Sequence, residues 1–387
     1  MSKALYTSIN GTARKCREMY TVQGSTTRKI KKGYCVVGGV THKFFGKELR
    51  YYGVLNTLGY QTIDPLGSAN SKYALFAIVN ERTTGGASYI NHGVAFNNKL
   101  TRSETEIPNK VREGKGLASP NHAFFAGGYQ TGNPDTNQDT VLPYDTSLTQ
   151  KTAENLLQGR VRTPAGALIG DYALFGGSEN YTDSATYRKV SVYHSTTLTQ
   201  SEASLTRTLY GVKGADNGTY AVFAGGFYKE EPWASSKASY TAVGFNASIT
   251  RVEATALRKT TAPGFAVRAG DYAVFIGSTQ ADAYGKDLTK VSVSALSLKR
   301  SGVAAVTLDQ YGLCAGGWGN SNDSPDGIGR DTDVVDVYDA SLTRQTITSM
   351  SIGRSATGAV IGDYALFAGG NSDTSIDSST VDVYTVD

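Results

Sequence analysis

One short phrase recurs seven times along the chain, and nothing else in the sequence restricts the fold as much. It runs Tyr-Ala-Leu-Phe-Ala-Ile-Val from Tyr73, His-Ala-Phe-Phe-Ala-Gly-Gly from His122 and Tyr-Ala-Leu-Phe-Gly-Gly-Ser from Tyr172. Further copies start at Tyr220, Tyr272, Tyr311 and Tyr364, each ending in Gly-Gly or Gly-Ser. Successive starts lie 49, 50, 48, 52, 39 and 53 residues apart. A unit of about fifty residues, built on short apolar runs and paired glycines, predicts an all-β propeller of four-stranded blades.

A second marker fixes the register. Leu100, Leu148, Leu198, Ile249, Leu298 and Leu342 each stand in a phrase of the type Ser-Leu-Thr-Arg that follows a glycine-doublet strand. The chain ends at Asp387 before a seventh copy, whereas Leu49 lies 51 residues before Leu100, on the same period. The stretch from Leu49 to Leu55 is therefore expected to supply the outer strand missing from the last blade. Such closure removes an exposed sheet edge. Only 13 residues separate Leu298 from Tyr311, so the fifth blade is expected to be short of a full fourth strand.

One repeat can be read strand by strand. Ala356 to Ile361 reads as an inner strand, Gly362-Asp363 as a two-residue hairpin turn, and Tyr364 to Ala368 as the next strand. Val381-Asp-Val-Tyr384 alternates apolar and polar residues, as a half-buried strand would. A content of 24 Tyr and 44 Gly suits many short strands and tight turns. The glycine doublet closing the second strand, the Tyr-Asp closing the third and the Arg before the first resemble kelch-type propellers. The resemblance covers residues 48–387 and implies a seven-bladed kelch-like β-propeller. The tryptophan usual in the fourth strand of that pattern is missing here.

The first 47 residues differ. They hold ten Lys or Arg against one acidic residue, Glu18, while the remainder carries 28 basic and 33 acidic residues. Tyr6, Tyr20 and Tyr34 are fourteen apart, and in that register Arg14, Arg28 and His42 align, as do Lys15, Lys29 and Lys43. Tyr-x-Val-x-Gly followed by a basic pair reads as strand, turn, strand. Units this short cannot bury a core of their own, so the segment must dock on something. It resembles the Tyr/Gly/Arg-Lys repeats at the N-termini of tail-associated structural proteins in phages and prophages of gut Gram-positive bacteria. That resemblance implies an anchoring segment, with Tyr6, Arg14, Lys15, Tyr20, Arg28, Lys29 and Tyr34 contacting other virion proteins. Contact of the same basic residues with nucleic acid is the weaker alternative.

Familiar catalytic signatures are missing. There is no Gly-x-Ser-x-Gly, His-Glu-x-x-His or phosphate-cradling loop. His122 and His194 fall in repeat slots held elsewhere by Tyr and Asp, and Asp171, Asp271 and Asp363 lie in Gly-Asp-Tyr turns. Asp323, Asp326, Asp331 and Asp333 match no established Ca²⁺ loop. No catalytic residue, metal or cofactor is assigned, and the chain is expected not to be an enzyme, with glycan cleavage as the residual alternative. Cys16, Cys35 and Cys314 show no metal or disulfide spacing, and Cys314 reads as a core residue. No membrane span or secretory leader is expected, which suits synthesis in a reducing host cytoplasm and delivery to a virion.

Variation concentrates in the loops after the second strands, at 81–86, 129–139, 179–187, 227–239, 279–287, 318–333 and 371–379. They are expected on one face, where Tyr129, Tyr181, Tyr228, Trp233, Tyr284 and Trp318 form the candidate ligand-binding surface. Aromatic faces of this kind take sugar rings or anchor a partner protein; alternatively they pin the loops onto the disc. The reading is a phage tail, baseplate or fibre protein that binds a host-surface glycan or receptor protein. A kelch-type protein-interaction module and a capsid-decorating protein are the alternatives. The oligomeric state is left open.

Overall fold

A computed structural model of the chain describes the backbone of residues 6–9, 12–15, 19–23, 26–30, 33–37 and 40–45. From residue 48 onward it describes all except 56–57, 59–64, 84–85, 108–110, 131–135, 178–187, 231–233, 260–262, 278, 320–328, 373–378 and 387. The described residues are all-β, with no α-helix. The chain separates into two compact units, Met1–Arg50 with Thr385–Asp387, and Tyr51–Tyr384.

The smaller unit holds three two-stranded antiparallel hairpins: Tyr6–Ile9 with Thr12–Lys15, Met19–Gln23 with Thr26–Ile30, and Gly33–Val37 with Val40–Phe45. Their registers repeat the sequence period. Tyr6 pairs with Lys15, Tyr20 with Lys29 and Tyr34 with Lys43. Thr7 opposes Arg14 and Thr21 opposes Arg28 in the same way.

Among the described residues from Leu49 to Val386 the strands form seven main antiparallel sheets in chain order. Most add strands consecutively: the third is Ala165–Ile169, Tyr172–Gly176, Lys189–His194, Gln200–Ser204, and the sixth is Ala304–Leu308, Tyr311–Ala315, Val335–Tyr338, Arg344–Ile347. In the seventh, Ser355–Ile361, Tyr364–Asn371 and Val381–Val386 are followed in space by Leu49–Leu55. The first strand of each sheet packs on the first strand of the next, and that of the seventh packs on Leu66–Ala69 of the first. Apolar side chains of adjacent sheets fill the space between them. Phe124 and Phe175, for example, meet at 6.3 Å between the second and third sheets.

Two expectations need correction here. The fifth sheet is complete, with Lys290–Val293 as its fourth strand, while among the described residues the second has three strands, Lys115–Ala118, His122–Ala126 and Val141–Asp145. The repeat marker expected at Leu298 lies instead at Leu288. Leu100, Leu148, Leu198, Ile249, Leu288 and Leu342 all turn the chain after the third strand of their sheet, with φ between 59° and 62°. This left-handed backbone costs a non-glycine residue about 1–2 kcal/mol. Their side chains pack into the clusters between sheets, which offsets that cost.

The second correction concerns Val381–Val386, which is buried along its whole length instead of half-buried. Asp382 tolerates this because donors surround its carboxylate. Arg354 donates to it at 2.6 Å, Ser351 N and Oγ at 2.8 and 3.1 Å, and Tyr51 Oη at 2.8 Å. The side chains of Arg354 and Asp382 are both fully buried. The sixth sheet repeats the device: Asp336 accepts from Ser297 N and Oγ and from Thr346 Oγ1, each at 2.9 Å, and pairs with Arg300 at 3.2 Å. In the fifth, Arg258 Nε meets Asp282 at 2.7 Å. The third sheet makes a neutral version from Gln158 and Ser191. Tyr51 thus does on Leu49–Leu55 what Thr346 does on the fourth strand of the sixth sheet.

Closest approach occurs along the first strands, where glycine is required sterically. A Cβ on Gly116 would lie 1.8 Å from the carbonyl oxygen of Gly67, and one on Gly67 would lie 2.2 Å from that of Gly358. Neighbouring strands there pack backbone on backbone.

Four substitutions test these contacts. Arg354→Met leaves Asp382 buried with its cation gone and is expected to lower the unfolding free energy by about 3–5 kcal/mol in urea titrations. Tyr51→Phe removes a single hydrogen bond to the carboxylate and is expected to cost about 1.5–3 kcal/mol. In the glycine row, Gly116→Ala is expected to yield no folded protein by circular dichroism. Gly264→Ala, whose Cβ would meet nothing nearer than Ile276 O at 3.9 Å, is expected to fold normally.

Candidate functional site

Strand register gathers the variable segments at one end of the sheets. Lys115 pairs with Ala126, Lys213 with Ala224 and Ala304 with Ala315, so the first residues of these inner strands lie beside the exits of the second strands. At that end the second, fourth and sixth sheets carry small extra strands. Tyr129–Gln130 lies between Val111–Arg112 and Thr136–Asn137. Phe227–Tyr228 pairs with Lys237–Ala238, and Trp318–Gly319 lies between Arg300–Ser301 and Arg330–Asp331.

Glycine doublets make these extra strands possible. Gly316 and Gly317 have φ of 64° and 100°, open to glycine and strained for other residues. Gly316 N donates to Val334 O within the sixth sheet, and Gly317 N donates to Arg354 O on the way into the seventh. A Cβ on Gly316 would lie 2.3 Å from Arg354 O. The doublet therefore ties one sheet to the next through its backbone and releases the following residue toward the end face. That residue is aromatic in all three cases: Tyr129, Phe227 and Trp318.

The expected aromatic surface is only partly assembled. Trp318 is 41% exposed, and Gly329 lies against its indole, where a Cβ would meet Nε1 at 2.8 Å. Tyr228 is half-buried beneath Arg207, whose guanidinium stands 4.3 Å from the ring centre. Tyr129 is half-buried with Arg162 at 5.3 Å over its ring. Tyr181 and Trp233 lie outside the described residues, as do Asp323 and Asp326. Among the described residues no cluster of three or more His, Cys, Asp or Glu gathers as metal ligands.

Tyr284 does not belong to this surface. It is fully buried on the third strand of the fifth sheet, and its hydroxyl donates to Thr255 O at 2.6 Å. Tyr144, Tyr193, Tyr338 and Tyr384 do the same to Glu106, Glu154, Ser294 and Thr348 carbonyls at 2.8–2.9 Å. Burial pushes all five hydroxyls well above the usual tyrosine range. With Ala281–Tyr284 as a strand, the stretch 279–287 is not a surface loop. His122 is likewise structural, its Nδ1 lying 2.6 Å from Ser195 O.

Three residues join the site that the sequence reading passed over. Phe227 is 39% exposed and stacks on Tyr210 at 5.6 Å. Its signal was the position directly after a glycine doublet. Lys115 and Lys213 both open inner strands, and the aliphatic stem of Lys115 runs over Gly166, where a Cβ would meet its Cγ at 3.0 Å and Cε at 3.2 Å. Burial, reinforced by the like charge of Lys213, lowers the Lys115 amine to about 8. The spacing of Gly116, Gly166 and Gly214 beside them is legible in the sequence.

No helix among the described residues is long and apolar enough to cross a membrane. No family model matches the chain, and no curated protein matches it. Among solved structures it is similar to the structure of YjhT, at 13% identity and a TM-score of 0.50, over 72% of this chain and 97% of that one. It is also similar to the streptogramin B lyase structure, at 10% identity and a TM-score of 0.54, over 88% and 98%. These likenesses show a propeller-like all-β fold. They also correct the expectation that the chain is not an enzyme: one of the similar folds is a lyase, so missing signature motifs do not exclude catalysis on this scaffold.

The lowered amine is directly measurable. In lysine side-chain NMR one ε-methylene signal should titrate near pH 8 and vanish in Lys115→Met. In Lys213→Met its midpoint should move up toward the ordinary lysine value. Because folding lowers this pKa, the unfolded chain binds more protons between about pH 8 and the ordinary value, and stability should rise with pH across that window.

Proposed function

We propose that the seven main sheets are the blades of a kelch-like propeller, closed into a ring by Leu49–Leu55, and that its glycine-doublet end recognises a glycan on a bacterial host surface. The hairpin segment 1–47 attaches the propeller to a phage virion, in the tail, baseplate or fibre. The observation that carries the recognition reading is the placement of exposed or half-exposed aromatic rings, Phe227, Tyr228 and Trp318, on extra strands at one end. Large apolar rings held rigidly at a surface are the residues that stack on sugar rings and anchor partners. Three hairpins of one register support the attachment role, since two-stranded ribbons of this length do not stand alone in water.

An array of bacterial surface polysaccharides tests the reading, with chromatography of the bound saccharides to detect any turnover. Binding is expected, and Trp318→Ala or Phe227→Ala should weaken it about tenfold or more, the loss typical of an interface anchor. Virions carrying a chain without residues 1–47 should lack the protein altogether. Saccharide binding unaffected by both substitutions, or normal incorporation of the shortened chain, overturns the corresponding half of the proposal.

A further inference from the structure

Resting on that recognition reading, we propose that Arg207, held over Tyr228 at the glycine-doublet end of the fourth sheet, takes an acidic group of the ligand. Arg207 and Tyr210 lie on the segment that leads from Gln200–Ser204 of the third sheet into Lys213–Asp216 of the fourth. The extra strand Phe227–Tyr228 is bonded back to that segment. Phe227 N donates to Tyr210 O at 2.7 Å, and Tyr210 N donates to Phe227 O at 3.0 Å. Four side chains are brought together in this way. The Arg207 guanidinium stands 4.3 Å from the centre of the Tyr228 ring, and Phe227 stacks on Tyr210 at 5.6 Å. Arg207 and Phe227 are both exposed, whereas Tyr228 packs against the apolar cluster between the third and fourth sheets.

A ring contact holds the cation by its charge and leaves its N–H donors for an anion. Among the described residues Arg207 makes no hydrogen bond or ion pair. Carboxylates close by are engaged elsewhere: Glu253 with Arg251 and Thr206, and Glu230 with Lys237. At Tyr129 the same kind of contact has its acid present. Arg162 lies 5.3 Å over that ring, and its Nε pairs with Glu113, two residues before the inner strand of the second sheet. Two residues before the inner strand of the fourth stands Gly211, in the same left-handed backbone, with φ of 65° against 57° for Glu113. The fourth sheet thus has the cation and the rings without the acid. A guanidinium meets a carboxylate or phosphate through two parallel N–H bonds. An acidic oligosaccharide can therefore rest one ring on Phe227 while its anion meets Arg207. A carboxylated sugar and a phosphodiester-linked polymer present this shared chemistry, and the probes separate them.

The test is isothermal titration of the full-length protein with three probes: an oligogalacturonate, a neutral galactan oligomer of equal length, and inorganic phosphate. The oligogalacturonate should bind more tightly than the neutral oligomer. Arg207→Met should weaken it by about tenfold, the loss of one charge-assisted pair, while leaving the neutral oligomer unchanged. Phe227→Ala should weaken both oligomers. Because Arg207 is exposed, Arg207→Met should melt as the wild type does, which separates lost binding from lost fold. Phosphate binding that falls in Arg207→Met, with no preference for the oligogalacturonate, supports the subsite and assigns it to phosphate esters. If neither acidic probe binds the wild type, or neither loses affinity in Arg207→Met, the subsite is overturned. Saccharide binding that is lost in Phe227→Ala but indifferent to Arg207→Met would overturn it while sparing the recognition reading.

Discussion

The buried carboxylate of Asp382 is the point on which the seventh sheet depends. A fully buried anion is tolerated only when its lone pairs are met, and here Arg354, Ser351 and Tyr51 meet them from two separate stretches of chain. Ser351 and Arg354 share one stretch, close to Asp382 in sequence. Tyr51 comes from the far end, so the strand Leu49–Leu55 is chosen by chemistry as well as by sheet hydrogen bonds. Leaving that strand unpaired would strip a donor from a buried charge and expose a sheet edge at once. The same arrangement around Asp336, with Thr346 in place of Tyr51, shows that the solution is a property of the repeat.

Side-chain and backbone ties join neighbouring sheets at both ends. At the turn end, Asn70 donates to Asp145 O at 2.9 Å, Asn217 to Gly285 O at 2.6 Å, and Arg268 pairs with Asp216 at 2.6 Å. Each link crosses from one sheet to the next and occupies a specific polar side chain. The glycine-doublet end uses main-chain bonds such as Gly128 N to Val161 O and Gly317 N to Arg354 O. A tie made by backbone asks nothing of the side chains around it.

How much of this was legible in the sequence depends on whether a residue repeats for its own chemistry or for its neighbour's. The Tyr-Ala-Leu-Phe phrases repeat because each sheet needs an apolar second strand, and they mark those strands correctly. The markers at Leu100, Leu148, Leu198, Ile249 and Leu342 were also legible. In the fifth repeat two candidates, Leu288 and Leu298, lie ten residues apart, and only the backbone angle distinguishes them. Choosing the wrong one turned a complete sheet into a short one and a buried third-strand tyrosine, Tyr284, into a surface ring. Asp382 looked like the polar half of an alternating strand because its partners lie 28 and 331 residues away. Lys115 gave no warning, since its character comes from burial and from a lysine two sheets onward.

Main-chain ties bear on where the candidate site sits. Because the doublets bond to the next sheet through their own backbone, the side chains that follow them are not what makes that bond. Tyr129, Phe227 and Trp318 can differ from one sheet to the next without loosening the contact between sheets. Lys115 and Lys213 fit the same logic on the inner strands: glycines at 116, 166 and 214 settle the packing, and the flanking position is left to carry charge. The doublets add backbone ties at their end, and there the residue that follows changes from one sheet to the next.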